Sequence, residues 1–271
     1  MSNFVKEHGE MISLETRALI SARYKTITKT INQEFWNSAS ETLHSLYVGS
    51  YGRGTAIETS DLDVLVVLPR REYERYDVVK GNGQSRLLQA VRGALLGSYP
   101  RTDIRADGQV VKVSFSDGMK FEILPAFEET SWSGRTVYCY PDTNMGGNWL
   151  STNPKAEQDA MKAKNRSSNG LLFDTCKHIR YIRDTSFSSY HLSGIVIDSF
   201  VYQAISGWKW TVSGEPSTSA WGDYERHLLR KFYDIFSLPY YCTICAPGSD
   251  QQLDASSSVE CLKKVLKLMI E

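Results

Sequence analysis

Apolar positions near the start of the chain recur with a helical period. Ile20, Tyr24, Ile27, Ile31 and Phe35 fall at spacings of three and four, with Arg, Lys and Thr between them. That spacing gathers apolar side chains on one face and predicts a helix over 12–36. It is a spine long enough to run along more than one lobe. The next segment, SLYVGSYGRGT, reads as a short strand broken by a glycine-rich turn. DLDVLVVLP is β-branched, apolar and closed by Pro69, which fits a strand. GQSRLLQAVRGALLG, over 83–97, reads as a helix ending at Gly97.

From 102 to 127 the pattern shortens to strands and turns. Asp107-Gly108 and Asp117-Gly118 are hairpin dipeptides that bracket VVKVSF and precede MKFEILPAF. The first half is therefore mixed α/β, with at least three strands in succession after the helix. Residues 128–155 are rich in Gly, Asn, Ser and Pro and read as an irregular connection. Beyond them NPKAEQDAMKAKN, LLFDTCKHIRYIRD, HLSGIVIDSFVYQAI and YERHLLRKFYDIF each carry helical periodicity. GSDQQLDASSS reads as a polar loop, and Val259, Leu262, Val265, Leu266 and Met269 line one face of a last short helix. The expected class is α/β (α+β): a mixed-sheet lobe over 1–135 that includes the spine helix, and a helical lobe over 136–271.

Composition narrows the partners. Among 271 residues, Lys plus Arg and Asp plus Glu are both 31, so the formal net charge is zero. A protein gripping long nucleic acid usually carries a basic excess, because phosphate contacts supply most of that affinity; long nucleic acid is not expected here. The five cysteines, Cys139, Cys176, Cys242, Cys245 and Cys261, have no framework spacing, which suggests reduced thiols in the cytoplasm. Cys242-x-x-Cys245 lacks a second ligand pair, and Cys261 and His227 do not complete a zinc pattern. MSNFVKEHGE has no apolar signal region, and the longest apolar run, Val64 to Leu68, is far too short for a bilayer, so no membrane is expected.

Chemistry concentrates in GSYGRGTAIETSDLDVLVVLP. On a strand, residues i and i+2 share a face, so Asp61 and Asp63 point one way while Leu62, Val64 and Val66 pack on the other. Two carboxylates side by side repel unless a divalent cation sits between them; a solvent-exposed edge strand is the other reading. Upstream, Gly49 and Gly52 allow a backbone to approach an anion closely, and the Ser50 hydroxyl can donate to the same phosphate. Displacement at phosphorus with two metals needs a further carboxylate. Glu122, alternating against Phe121 and Ile123, is the candidate if its strand neighbours DLDVLVV. Asp103 and Asp117 compete from positions nearer turns.

GSYGRGT, then SDLDVLVV, then FEILPA resembles the polymerase-β-like nucleotidyltransferase superfamily. Within it the chain resembles the cyclic GMP-AMP synthase/DncV-like (CD-NTase) family, bacterial relatives of cyclic GMP-AMP synthase and oligoadenylate synthase that make second messengers in anti-phage defence. STNP at 151–154 is similar to a segment joining the lobes of those enzymes, and CKHIRYIRD with SFSSYHL to their helical lobe. The resemblance implies that Gly49 and Ser50 meet the donor triphosphate. It implies that Asp61, Asp63 and Glu122 are catalytic and hold Mg²⁺, with Mn²⁺ able to substitute. It puts Arg180 and Lys177 on the triphosphate, Ser189 on phosphate and Tyr190 on a base. The sequence departs from the family pattern at Glu122, where relatives often have Asp, and at Arg180-Tyr181, where many have Lys before an aromatic residue.

The expected activity joins nucleoside triphosphates, bound in a cleft between the lobes, into a cyclic or short linear oligonucleotide with release of pyrophosphate. A downstream effector would read the product, and a monomer is expected. Two alternatives stand beside it: transfer of nucleotides to tRNA or a protein, and a catalytically silent nucleotide-binding protein. On residues alone, Lys177 and Arg180 also suit the solvated side of a helix, Tyr190 a core or interface aromatic, and Arg53 either a triphosphate contact or the solvated edge of its turn.

Overall fold

In the computed structural model, which describes residues 3–57, 61–132, 134–212, 214, 219–237 and 242–271, the chain divides into two compact units. One comprises Ile12–Gly52 and Ser60–Asn153, the other Met1–Met11, Arg53–Thr59 and Pro154–Glu271.

The first unit is built on a sheet. The spine helix α1 (Leu14–Trp36) starts at Ser13, whose side chain accepts from the Thr16 amide, and stops at Asn37 in the left-handed region. After it come β1 (Ser45–Tyr47), α2 (Gly49–Arg53), β2 (Leu62–Val67), α3 (Arg70–Asp77) and α4 (Gly83–Ser98). Then follow β3 (Asp103–Asp107), β4 (Val110–Ser114), β5 (Lys120–Thr130), β6 (Thr136–Asp142) and β7 (Asn148–Thr152). The strand order is β1-β2-β5-β4-β3, with β6 pairing to β5 and β7 to β6. Only the β2–β5 pair is parallel; the other pairs described in this sheet are antiparallel. Ile20, Ile27, Ile31 and Phe35 of α1 pack with Leu87, Leu88, Val91 and Leu95 of α4 onto Leu62, Val64 and Val66 of β2 and Phe121 and Ile123 of β5.

Helices build the second unit: α5 (Pro154–Ser167), α6 (Leu171–Ser186), α7 (Gly194–Ala204), α8 (Asp223–Ile235) and α9 (Val259–Leu268), with a ribbon of β8 (Thr243–Cys245) and β9 (Gln252–Asp254). Its core joins Leu172, Ile179, Ile197, Phe200, Leu228 and Leu262. Among the described residues no helix is long and apolar enough to cross a membrane.

Two sequence expectations are corrected. Residues 128–155 are not an irregular connection: β5 runs on to Thr130, and β6 and β7 extend the sheet. The turn-forming residues cluster in the two short loops, while TVYCY and NWLST supply β-branched and aromatic positions. The division between the two units follows Asn153. The polar segment 248–258 likewise contains β9, paired to β8 with Ile244 opposite Leu253. The long helix, the 83–97 helix, both Asp-Gly hairpins and the four later helices stand where the pattern put them. Ser60, which opens the SDLDVLVV motif, lies outside the described residues.

The N-terminal segment is strapped to α6. The His8 amide donates to Asp174 Oδ1 at 3.0 Å, His8 Nε2 meets His178 Nδ1 at 2.9 Å, and Lys177 Nζ donates to the Gly9 carbonyl. Burial, and next the neighbouring His178, push the His8 imidazole down to about 4. A depressed histidine favours the folded state in its neutral form, so this contribution is full above the unfolded value and is lost as pH falls from about 6.5 towards 4. Thermal melts should therefore show the wild type losing Tm more steeply between pH 6.5 and 4.5 than His8→Gln. Parallel curves would contradict the assignment.

Candidate active site

Three adjacent pairings assemble the candidate site. Antiparallel pairing of β1 with β2 puts Tyr47 opposite Val64, and the Val48 amide donates to the Asp63 carbonyl at 2.9 Å. The next residue, Gly49, therefore starts α2 directly against the Asp63 side chain. Gly49 has φ +58, and a Cβ placed on it would lie 1.8 Å from Asp63 Oδ2. Only a residue without a side chain fits there, for both backbone and steric reasons. Parallel pairing of β2 with β5 then sets Asp63 opposite Glu122. Antiparallel pairing of β5 with β4 sets Glu122 opposite Lys112.

The electrostatics follow from that row. Asp63 and Glu122 are half-buried register partners and like charges, an unfavourable juxtaposition without a cation. Lys112 partly supplies one, with Nζ 3.7 Å from Glu122 Oε1 and 2.7 Å from Asp107 Oδ2. The hydrogen bond to Asp107, and more weakly the Glu122 charge, raise the Lys112 ammonium further above its ordinary range. Asp61 lies one residue before β2 and is exposed. Ser50, the second residue of α2, is half-buried.

The acids supply only hard oxygen donors, the kind that Mg²⁺ and Mn²⁺ take. Register brings Asp63 and Glu122 together, and Asp61 stands two residues from Asp63. Among the described residues no three carboxylate, imidazole or thiolate groups are already gathered as a metal site. The donor chemistry and the backbone register thus fit a divalent cation, while the side chains as they stand do not enclose one.

In the helical unit two of the candidate residues are buried. Arg180 is 1% exposed, and its guanidinium donates to Asp198 Oδ1 at 2.7 Å and to the Gly194 carbonyl at 2.9 Å. It is a core cation neutralising a core acid. Lys177 is buried as well, its ammonium spent on the Gly9 carbonyl. Arg53 neither solvates its turn nor offers itself to a ligand; it is buried against Asp198 and Glu157. Ser189 and Tyr190, by contrast, are exposed. Tyr190 has Lys264 Nζ 4.8 Å from its ring centroid and Phe187 edge-on at 6.3 Å.

Sequence reasoning missed Asp198, Glu157 and Lys112. Asp198 had a signal: it is the one charged residue in GIVIDSFVYQA, and a helix apolar all round is a buried helix. An acid there demands a cationic partner. Lys112 had none, because its proximity to Glu122 comes from strand register.

Solved structures share this fold. The chain matches the Elizabethkingia meningoseptica CdnE cyclic dinucleotide synthase solved with GTP and Apcpp at TM-score 0.62 and 13% identity, covering 98% of this chain and 94% of that one. It matches the Rhodothermus marinus CdnE c-UMP-AMP synthase, solved with Apcpp and Upnpp, at TM-score 0.59 and 15% identity, covering 92% and 88%. A probable cyclic nucleotide synthase of Bacillus cereus (strain VD146) is 27% identical over 124 residues. That stretch is 42% of this chain and spans only 36% of the length of the curated relative. Residues 2–165 match the Second Messenger Oligonucleotide or Dinucleotide Synthetase domain, SMODS. The chain belongs to the SMODS family, and the resemblance read from its glycine turn and acidic strands is borne out.

Gly49→Ala tests the packing of the row. The added methyl must push the Asp63 carboxylate aside, and a displacement of that order at a reacting centre costs ~100-fold in rate. Pyrophosphate release from nucleoside triphosphates should fall by about that factor while far-ultraviolet circular dichroism is retained. Unchanged turnover would show that the Gly49–Asp63 contact has no part in the chemistry.

Proposed function

We propose that the protein is a metal-dependent nucleotidyltransferase that joins nucleoside triphosphates into a cyclic or short linear oligonucleotide and releases pyrophosphate. The observation that carries this reading is the register of Asp63 against Glu122, with Gly49 packed on the Asp63 carboxylate. A phosphate-binding turn placed directly beside paired acids is what displacement at phosphorus requires.

Asp61, Asp63 and Glu122 would hold Mg²⁺, or Mn²⁺ in its place, and the cation would neutralise triphosphate charge and make an acceptor hydroxyl more acidic. The chain's own groups do the positioning. Gly49 and Ser50 hold the terminal phosphates of the donor through backbone N–H groups and the Ser50 hydroxyl. The ribose hydroxyl of a second nucleotide attacks the α-phosphorus; the new P–O bond forms as the bond to the bridging oxygen breaks, pyrophosphate departs and the hydroxyl proton is lost to water. Ser189 would meet phosphate, and Tyr190, exposed rather than packed in a core, would stack on a base. Lys112 would keep Glu122 in place when no cation is bound. We assign the product to second-messenger signalling in anti-phage defence, read by a downstream effector.

Incubation with all four nucleoside triphosphates and Mg²⁺, followed by mass and nuclease analysis, tests the reading. A small phosphatase-resistant oligonucleotide is expected from the wild type and none from Asp61→Ala/Asp63→Ala. Mass added only to RNA or protein, triphosphate binding without pyrophosphate release, or full turnover by the double variant would contradict it.

A further inference from the structure

The acidic pair of the sheet continues into a longer row of charges. Register sets Asp63 opposite Glu122, Glu122 opposite Lys112, and Lys112 opposite Arg105. Direct register partners share a face, so the row crosses β2, β5, β4 and β3 on one side of the sheet. The residues that alternate with it, Leu62 and Val64, Phe121 and Ile123, Val111 and Val113, and Ile104, are buried in the core under α1 and α4. That burial holds all four charges on the other face. Their order is two anions and then two cations, so each end of the row sets like charges side by side.

The cationic end is relieved by acids of its own edge strand. Asp107 Oδ2 accepts from Lys112 Nζ at 2.7 Å, and Asp103 Oδ1 accepts from Arg105 Nε at 2.9 Å. Lys112 therefore stands between two carboxylates at unequal distance. Its bond to Asp107 is a hydrogen bond; its approach to Glu122 Oε1, at 3.7 Å, is an ion pair beyond hydrogen-bond length. All three side chains are partly open to water, so each pair is weak. The ammonium is a compact charge on a flexible stem and can redistribute between the two acids at little cost. Asp107 is built for that role. It ends β3 in the tight hairpin that leads to β4, the strand of Lys112, so it stays with Lys112 whatever Glu122 does.

We propose that Lys112 competes with a divalent cation for the Glu122 carboxylate, and that Asp107 takes over the ammonium when Glu122 is given up. The Lys112–Asp107 pair thereby sets how tightly the acidic row takes metal. This rests on the reading of Asp61, Asp63 and Glu122 as metal ligands. Lys112 touches no substrate; it is a positioning residue that acts through Glu122.

The test is Mn²⁺ affinity of the nucleotide-free protein, read from the six-line electron paramagnetic resonance signal of the free ion. Lys112→Met should bind Mn²⁺ about 3-fold more tightly than the wild type, and Asp107→Asn about 2-fold more weakly, because Lys112 then has only Glu122. The double variant Lys112→Met/Asp107→Asn decides between competition and a general change of field. It leaves the net charge unchanged, so a field effect returns it to the wild-type affinity; competition leaves it as tight as Lys112→Met, since Asp107 acts only through Lys112. Thermal melts give a second readout: Mn²⁺ should raise the Tm of Lys112→Met by more than that of the wild type. Unchanged or weaker binding by Lys112→Met, or a double variant back at the wild-type affinity, would overturn the proposal. Glu122→Gln separates this from the reading beneath it. If that variant keeps the wild-type affinity, Glu122 is no metal ligand and both fall; if it binds more weakly while Lys112→Met matches the wild type, the competition alone fails.

Discussion

The parallel pairing of β2 with β5 places one carboxylate opposite another, Asp63 opposite Glu122, and everything proposed for this protein depends on that register. A slip of one residue would turn every side chain of a strand to its other face. The slip is opposed by burial on both sides. Leu62, Val64 and Val66 belong to the large core under α1 and α4, while Leu65 packs with Val48, Ala126 and Tyr138 on the opposite face. The strand cannot shift without exposing one of these sets, so the apolar core fixes where the acids stand. The repulsion between them is tolerated because it is small beside that burial, and because Lys112 stands next to Glu122.

Charge is handled differently in the two units. At the end of the sheet the three acids are exposed or half-buried, and Glu122 has Lys112 Nζ at 3.7 Å. In the helical unit, Asp198 and Glu157 are buried and matched by Arg180 and Arg53. Those charges are used up within the fold. Arg180 and Lys177 resemble phosphate ligands in sequence, yet both are buried with partners inside the fold: a cation on a helix is available only if no buried group nearby has claimed it.

Local pattern carried much of the architecture. The 3.6-residue period of α1, the β-branched run of β2 and the Asp-Gly turns flanking β4 are each read from a few consecutive residues. Gly49 and Asp63 could be nominated for the same reason, and they stand against each other. Long-range facts were less legible. Glu122 could be nominated from strand alternation, but its place beside Asp63 required the parallel register. The strands β6, β7 and β9 are separated by polar turns, and each is paired with a neighbouring strand. The burial of Arg53, between two glycines in an apparently open turn, could not be read locally at all, because its partners lie more than a hundred residues away.

Anomalous scattering from Mn²⁺ in crystals of the wild type grown with a non-hydrolysable nucleoside triphosphate tests the account most directly. It predicts a metal peak about 2.0–2.2 Å from carboxylate oxygens of Asp61, Asp63 and Glu122, with the triphosphate lying along Gly49 and Ser50. A triphosphate bound away from that turn, or a metal peak that leaves Asp63 and Glu122 uncoordinated, would contradict it.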